Sequence, residues 1–275
     1  MGPIMSGEFR LNNYLKRIGY GGGIEPDLKT LAALQSAHLS AIPFEGIDPL
    51  LGRTVELDLA FVQAKLVDSR RGGYCFEQNT LFKAALEKIG FNVTGLAGRV
   101  RWNSPPESPL GPRTHMMLKV DLPEGPYLAD VGFGARLIDA PLRLETDVDQ
   151  HTAMGTYRLS RSEGLFSLAA NRAPGWRVMY VFDLQPQIAA DYELGNWFTS
   201  TSPNVPFTNM LVMERLAGGR RYKLINRRFF VEARDGEIIV ERAIASTEEL
   251  REIIDESFRM TLPAPAEEIF CRTAN

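Results

Sequence analysis

The spacing of apolar positions changes twice along the chain. Between about residues 10 and 90 they recur every three to four residues, the period of an amphipathic helix. Pro26 marks a helix start, and Leu28, Leu31, Ala32 and Leu34 follow at that spacing. Leu59, Val62 and Leu66 form a second stripe. Residues 75–89 form a third, with Phe82, Ala85, Leu86 and Ile89 on one face and Gly90 where a helix-ending glycine belongs. From about 91 to 200 the runs are shorter and broken by turn formers. Residues 93–101, 114–121 and 127–131 read as strands, and Pro105, Pro106, Pro109 and Pro112 mark a loop between the first two. Residues 156–159 and 165–168 continue the series into a sheet or barrel.

The last stretch opens with a loop over residues 201–206. Residues 222–226 and 229–232 read as strands, and Asp235-Gly236 turns the chain into another at 237–240. Ser246 and Glu249 make a capping box ahead of Leu250, Ile253, Ile254 and Phe258, a final amphipathic helix. There are no internal repeats. The pattern predicts an α+β protein: helices, then strands, then a small sheet with a helix.

Composition narrows the function classes. Of 275 residues, 31 are Lys or Arg and 34 Asp or Glu, for a net charge of -3. That balance lacks the concentrated positive surface that nucleic acid or an anionic membrane requires. No apolar run reaches the roughly 18 residues of a membrane helix. The first ten residues lack the apolar core of a secretory signal. Gly2 and Ser6 fit an N-myristoylation pattern, with Pro3 speaking against it. Two cysteines, Cys75 and Cys271, cannot build a disulfide framework, so the expected compartment is the reducing cytoplasm.

The most informative stretch is Arg71-Gly72-Gly73-Tyr74-Cys75-Phe76-Glu77-Gln78-Asn79. Two glycines allow a tight turn, and Cys75 falls at the start of the third helix. Helix N-terminal N–H groups favour a thiolate and can hold the oxyanion formed when it attacks a carbonyl. A free cysteine is more often a small buried hydrophobe, so the local sequence leaves both roles open. Cys271 has no comparable setting.

A nucleophile needs a base, and there are three histidines. His38 sits among apolar helical neighbours and reads as packed. His151 lies in a polar stretch, residues 147–152, and reads as a solvated loop residue. His115 lies on a strand whose alternation puts it with Met117 and Lys119, opposite Met116, Leu118 and Val120. If Asp121 faces Pro126 across a four-residue loop, residues 122–125, Asp130 falls opposite Met117, one diagonal step from His115. A one-residue slip would turn Asp130 to the other face. In that register Cys75 attacks, His115 takes its proton and Asp130 orients the imidazole. Gly132 and Gly134 after Asp130 allow close backbone approach, and Phe133 offers an apolar wall; a plain glycine turn would read the same way.

Other signals are weak. Gly21-Gly22-Gly23 lacks the lysine of a phosphate loop, and Asn92-Val93-Thr94 is a sequon of little meaning in a reducing compartment. The pairs Arg70-Arg71, Arg220-Arg221 and Arg227-Arg228 are too dispersed for a nucleic-acid stripe. Three histidines without clustered carboxylates or a CxxC pair argue against zinc, and no metal is expected.

Together the 71–79 stretch, Ala41-Ile42-Pro43-Phe44-Glu45, Thr114-His115 and Asp130-Val131-Gly132-Phe133-Gly134 resemble the arylamine N-acetyltransferases. The resemblance spans most of the chain, although after about residue 210 it rests on length and texture alone. It implies a helical domain over 1–90, a β-barrel over 91–200 and an α/β lid over 201–275, with a papain-like Cys75-His115-Asp130 site. It implies acetyl transfer from acetyl-CoA to an arylamine, arylhydroxylamine or arylhydrazine through an acetyl-cysteine, a xenobiotic-processing reaction. Phe44 and Phe133 would line the acceptor pocket with Val100 nearby, and Thr114 and Phe207 would lie near coenzyme A or the acceptor. The same triad would also serve a cysteine hydrolase or transglutaminase-like enzyme, or an amide synthase with a larger acyl donor. A binding module with an inert cysteine is the non-enzymatic alternative.

Overall fold

In the computed structural model, which describes residues 8–273, the N-terminal stripes become helices. These are α1 (Leu11–Ile18), α2 (Leu28–Ala41), the single turn α3 (Ile47–Leu50), α4 (Leu59–Gln63) and α5 (Cys75–Ile89), with a two-residue strand β1 (Phe44–Glu45) before α3. Gly2 and Ser6 lie outside the described residues. A π-helical turn, Ala64–Asp68, prolongs α4. The start of α2 is set by Asp27 rather than Pro26: its carboxylate accepts the Thr30 amide at 2.7 Å, satisfying a donor that the helix leaves unpaired. Gly90 ends α5 in the left-handed conformation, as its position predicts.

Eight strands follow: β2 (Asn92–Val100), β3 (His115–Leu122), β4 (Gly125–Ala129), β5 (Leu142–Arg143), β6 (Asp149–His151), β7 (Thr156–Ser162), β8 (Leu165–Arg172) and β9 (Gly175–Phe182). They form one antiparallel sheet in the order β5-β4-β3-β2-β9-β8-β7-β6. Its two edges meet. Gln150 on β6 accepts the Arg143 amide at 2.7 Å and donates to the Arg143 carbonyl at 2.9 Å, so a side chain bridges the seam of a nearly closed barrel. The inside is filled by Leu96, Met117, Leu128, Tyr157, Leu168 and Tyr180, among others. The other face of β3, with Met116, Leu118 and Val120, packs in one core with Leu81, Phe82 and Ala85 of α5. The alternation along β3 therefore feeds two cores at once.

The region read as strands ends in a helix instead, α6 (Ala189–Thr201). Its interior Gly195 and the solvent-facing Leu194 (72% exposed) and Trp197 (66%) disrupt the amphipathic pattern that would have revealed it. Gly195 is there for a close approach: a Cβ would lie 2.9 Å from the Phe76 ring and 3.0 Å from the Arg113 carbonyl.

A second sheet, β10 (Val212–Ala217), β11 (Arg220–Ile225), β12 (Arg228–Glu232) and β13 (Ile238–Ala243), takes β1 as its first strand in the order β1-β10-β11-β12-β13. Ile47 and Leu50 of α3 join its core, so residues 44–50 pack with the end of the chain. Helices α7 (Thr247–Ile253), prolonged by a π turn at Ile254–Phe258, and α8 (Ala266–Arg272) complete the fold. Ser246 caps α7 by accepting the Glu249 amide at 3.3 Å. The Glu249 carboxylate reaches the amide of Ala245, one residue before the one a capping box uses. No described helix is long and apolar enough to cross a membrane.

Candidate active site

Cys75 is the first residue of α5, where N–H groups have no intrahelical partner. The turn that delivers it is held from below. Glu77 accepts the Tyr74 amide at 3.0 Å and Lys65 Nζ at 2.6 Å. Lys65 also pairs with Asp48, and Arg71 with both Glu45 and Asp48. Tyr74 donates its hydroxyl to Asn196 of α6. Gln78 donates to the carbonyls of Pro43 at 2.7 Å and Gly73 at 3.1 Å, tying the helix to the segment that carries Phe44.

The hairpin register is the expected one: Asp121 pairs with Pro126 and Leu118 with Ala129. The turn is tighter than expected, since Leu122 pairs with Gly125 and only Pro123 and Glu124 lie outside the ladder. Because the count is unchanged, Asp130 leaves β4 on the face of His115, and its Oδ2 lies 2.7 Å from His115 Nε2. Nδ1 is left to face Cys75, whose thiol donates to the Thr114 carbonyl at 3.6 Å.

Asp130 is buried and fully engaged. Tyr180 donates to Oδ2 at 2.9 Å, while the Gly132 amide at 2.8 Å and Asn79 Nδ2 at 3.2 Å donate to Oδ1. Burial works against its charge, but the His115 ring and these donors prevail and hold the carboxyl below the usual range. Burial alone would lower the His115 pKa. The adjoining carboxylate outweighs it and, with Cys75 as a further partner, raises the imidazolium to about 10. Burial, with Asp130 alongside, pushes Tyr180 well above 10 and keeps it a donor. Phe133 stands edge-on to His115, with ring centres 5.1 Å apart.

A cavity of about 420 Å³ opens on this group. Phe44, Val100, Thr114, Phe133 and Phe207, singled out from the sequence, all line it. Val100 sits at its exposed rim. Trp102, Met210, Lys223 and Ile225 line it too and were not foreseen. Gly132 and Gly134 are demanded by packing: a Cβ on Gly132 would lie 2.6 Å from Cys75 Cα, and one on Gly134 2.2 Å from the Phe44 ring. Gly132→Ala must displace stiff backbone at Cys75. Overpacking of this kind costs about 1–3 kcal/mol, and the variant should both melt earlier and alkylate at Cys75 more slowly with iodoacetamide. An unchanged rate would show that the contact does not position the sulfur.

The remaining candidates lie elsewhere. His38 is buried between Tyr14 (2.9 Å) and Gln78 (2.6 Å), and burial lowers its pKa to about 4, so it is neutral at pH 7. His151 is exposed on the edge strand β6, not in a loop. Cys271 is exposed on α8. Among the described residues no group of histidines, cysteines and carboxylates could hold a metal. Asn79 belongs to the stretch around Cys75, and its role emerges only in the structure. It is a clamp: Nδ2 also donates to the carbonyls of Met116 (2.8 Å) and Cys75 (3.2 Å), and Oδ1 accepts the Val131 amide. Its place four residues after Cys75, on the same helix face, was the available signal. Tyr180, a hundred residues from α5 and on another strand, offered none.

A family model described as N-acetyltransferase matches residues 27–267. The arylamine N-acetyltransferase of Mycolicibacterium smegmatis is 43% identical over 224 residues, covering 80% of this chain and 82% of that protein. The chain belongs to the arylamine N-acetyltransferase family. Another member, the arylamine N-acetyltransferase / N-hydroxyarylamine O-acetyltransferase of Salmonella typhimurium, is 42% identical over 205 residues, 74% of this chain and 72% of that one. The structure of the Mycobacterium marinum arylamine N-acetyltransferase in complex with CoA superposes with a TM-score of 0.91 at 36% identity, covering 96% of this chain and 98% of that one. The family's α+β fold is thus shared along nearly the whole chain.

Proposed function

We propose that this arylamine N-acetyltransferase family member moves an acetyl group from acetyl-CoA to an arylamine, arylhydroxylamine or arylhydrazine by way of an acetyl group on Cys75. The observation that carries the reading is the meeting of Cys75, His115 and Asp130 at a cavity otherwise lined mostly by apolar and aromatic side chains. Its volume falls in the range of small-molecule sites.

In this reading the raised pKa leaves His115 a cation at neutral pH with the thiol proton already on Nδ1, and the bared sulfur attacks the thioester carbonyl. First-turn amides of α5 face the developing oxyanion, and the imidazolium returns the proton to the departing CoA sulfur. The exchange of one thioester for another is close to balanced. The acceptor amine, a free base at neutral pH, then attacks the acetyl-cysteine, and its proton passes through His115 back to Cys75. Asp130 holds the imidazole and stabilises its charged form. Phe44 and Phe133, with Val100 at the rim, would bound the acceptor and keep water from the thioester. Thr114 and Phe207 would lie against coenzyme A or the acceptor. This chemistry uses no metal and suits a reducing cytoplasm that keeps the thiol free.

Mixing the protein with acetyl-CoA alone should add the mass of one acetyl group, located on Cys75 by peptide mapping, and an aromatic amine should then remove it. Absence of the adduct, together with turnover of a peptide amide, would replace this reading with a hydrolase.

A further inference from the structure

His38 is a buried histidine that the acetyl-transfer chemistry does not use, and its neighbours fix its protonation atom by atom. His38, Tyr14 and Gln78 are all 0% exposed. The Gln78 carboxamide donates to the carbonyls of Pro43 at 2.7 Å and Gly73 at 3.1 Å, which takes both of its N–H bonds. Its oxygen is therefore the atom 2.6 Å from His38 Nε2, and that contact is a hydrogen bond only if Nε2 carries the hydrogen. Burial lowers the His38 pKa to about 4 against the pull of Gln78, so the neutral ring has a single hydrogen and Nδ1 is bare. The Tyr14 hydroxyl, 2.9 Å away, donates to Nδ1.

These hydrogen bonds run one way, from α1 through α2 to the first turn of α5. They end on two carbonyls that join the segment carrying Phe44 to the turn carrying Cys75. The Pro43 carbonyl also accepts the Gly73 amide at 3.4 Å, and the Gly73 carbonyl accepts the Glu45 amide at 3.0 Å. Phe44 and Gly73 form a parallel bridge there. Gln78 lies across this junction in one orientation, because His38 holds its oxygen. A flipped carboxamide would set donor against donor at His38 and acceptor against acceptor at both carbonyls, an expensive arrangement in a buried site.

We propose that His38, as its Nε2–H tautomer, is a positioning residue for acyl transfer: by fixing Gln78 it sets the Phe44 wall against the Cys75 sulfur. His38 does not line the cavity, so it acts through Gln78 and not on either substrate. This inference rests on Cys75 being the nucleophile proposed above.

Two substitutions separate positioning from packing. His38→Leu fills the site without a donor, whereas His38→Gln places an amide N–H near the Nε2 position. His38→Leu should lower kcat/KM for an aromatic amine about tenfold, the scale of one buried hydrogen bond left unmade. It should also slow alkylation of Cys75 by iodoacetamide, and His38→Gln should restore most of both rates. If His38→Leu melts earlier but keeps both rates, or His38→Gln does no better than His38→Leu, the proposal is overturned. Alkylation needs no acetyl-CoA, so a slowed rate in a protein that never forms acetyl-Cys75 would fault the acetyl-transfer reading and leave this one standing. Should His38→Leu fail to fold, nitrogen NMR of the unaltered protein decides. A neutral His38 ring protonated on Nε2 supports the assignment, and one protonated on Nδ1 overturns it.

Discussion

Cys75→Ala should lower acetyl transfer by roughly four orders of magnitude or more, because it removes the atom that carries the acetyl group rather than one that assists it. Steady-state release of free CoA thiol in the presence of an aromatic amine measures the loss. The fold should survive: the change deletes one buried sulfur whose hydrogen bond, to the Thr114 carbonyl, is long at 3.6 Å. The two-step route adds a stricter requirement. The variant should also fail to exchange acetyl between acetyl-CoA and labelled CoA in the absence of acceptor. Retained exchange would mean that a group other than Cys75 carries the acetyl, with the cysteine a bystander.

Asp130→Asn is expected to cost about 10³–10⁴-fold in the same assay, the scale seen when the orienting carboxylate of a triad is neutralised. The carboxamide can keep some of the donors around it, so the geometry is largely preserved while the charge is lost. The clearest consequence is electrostatic. In the unaltered protein Asp130 holds the His115 imidazolium up to about pH 10 against full burial. With the carboxylate gone, burial is opposed only by Cys75 and the histidine should titrate far below 10. The sign for stability follows. A raised folded-state pKa contributes stability that is present below about pH 6.5 and is lost as the pH rises toward 10. That pH dependence should be absent from the variant. NMR titration of the His115 ring reads the shift directly, and a variant that still titrates near 10 would remove Asp130 as its cause.

Parts of this architecture could be read without coordinates because they depend on short-range physics. The stripe over residues 75–89 and the glycine after it suffice for α5, and the ladder count across one short turn suffices to bring Asp130 to His115. Losing two residues from the loop did not matter, since the pairing of Asp121 with Pro126 was kept. α6 escaped notice because its features answer to distant partners: Gly195 to Phe76 and Arg113, and Asn196 to Tyr74. Strand β1 escaped for a similar reason. Two residues carry no period, and Phe44–Glu45 is a strand only because Glu214 and Met213 lie beside it.

The sequence by itself determined which residue has a helix terminus, which histidine shares a strand face with a carboxylate, and the order of helical, strand and mixed segments. Each follows from spacing within an element or across one turn. Only the tertiary structure decided that Asn79 clamps Asp130, that Tyr180 donates to it and that Lys223 reaches the cavity. Those relations join side chains about 50 to 90 residues apart on different elements. They arise where the barrel, α5 and the second sheet pack together, and no period along the chain records them.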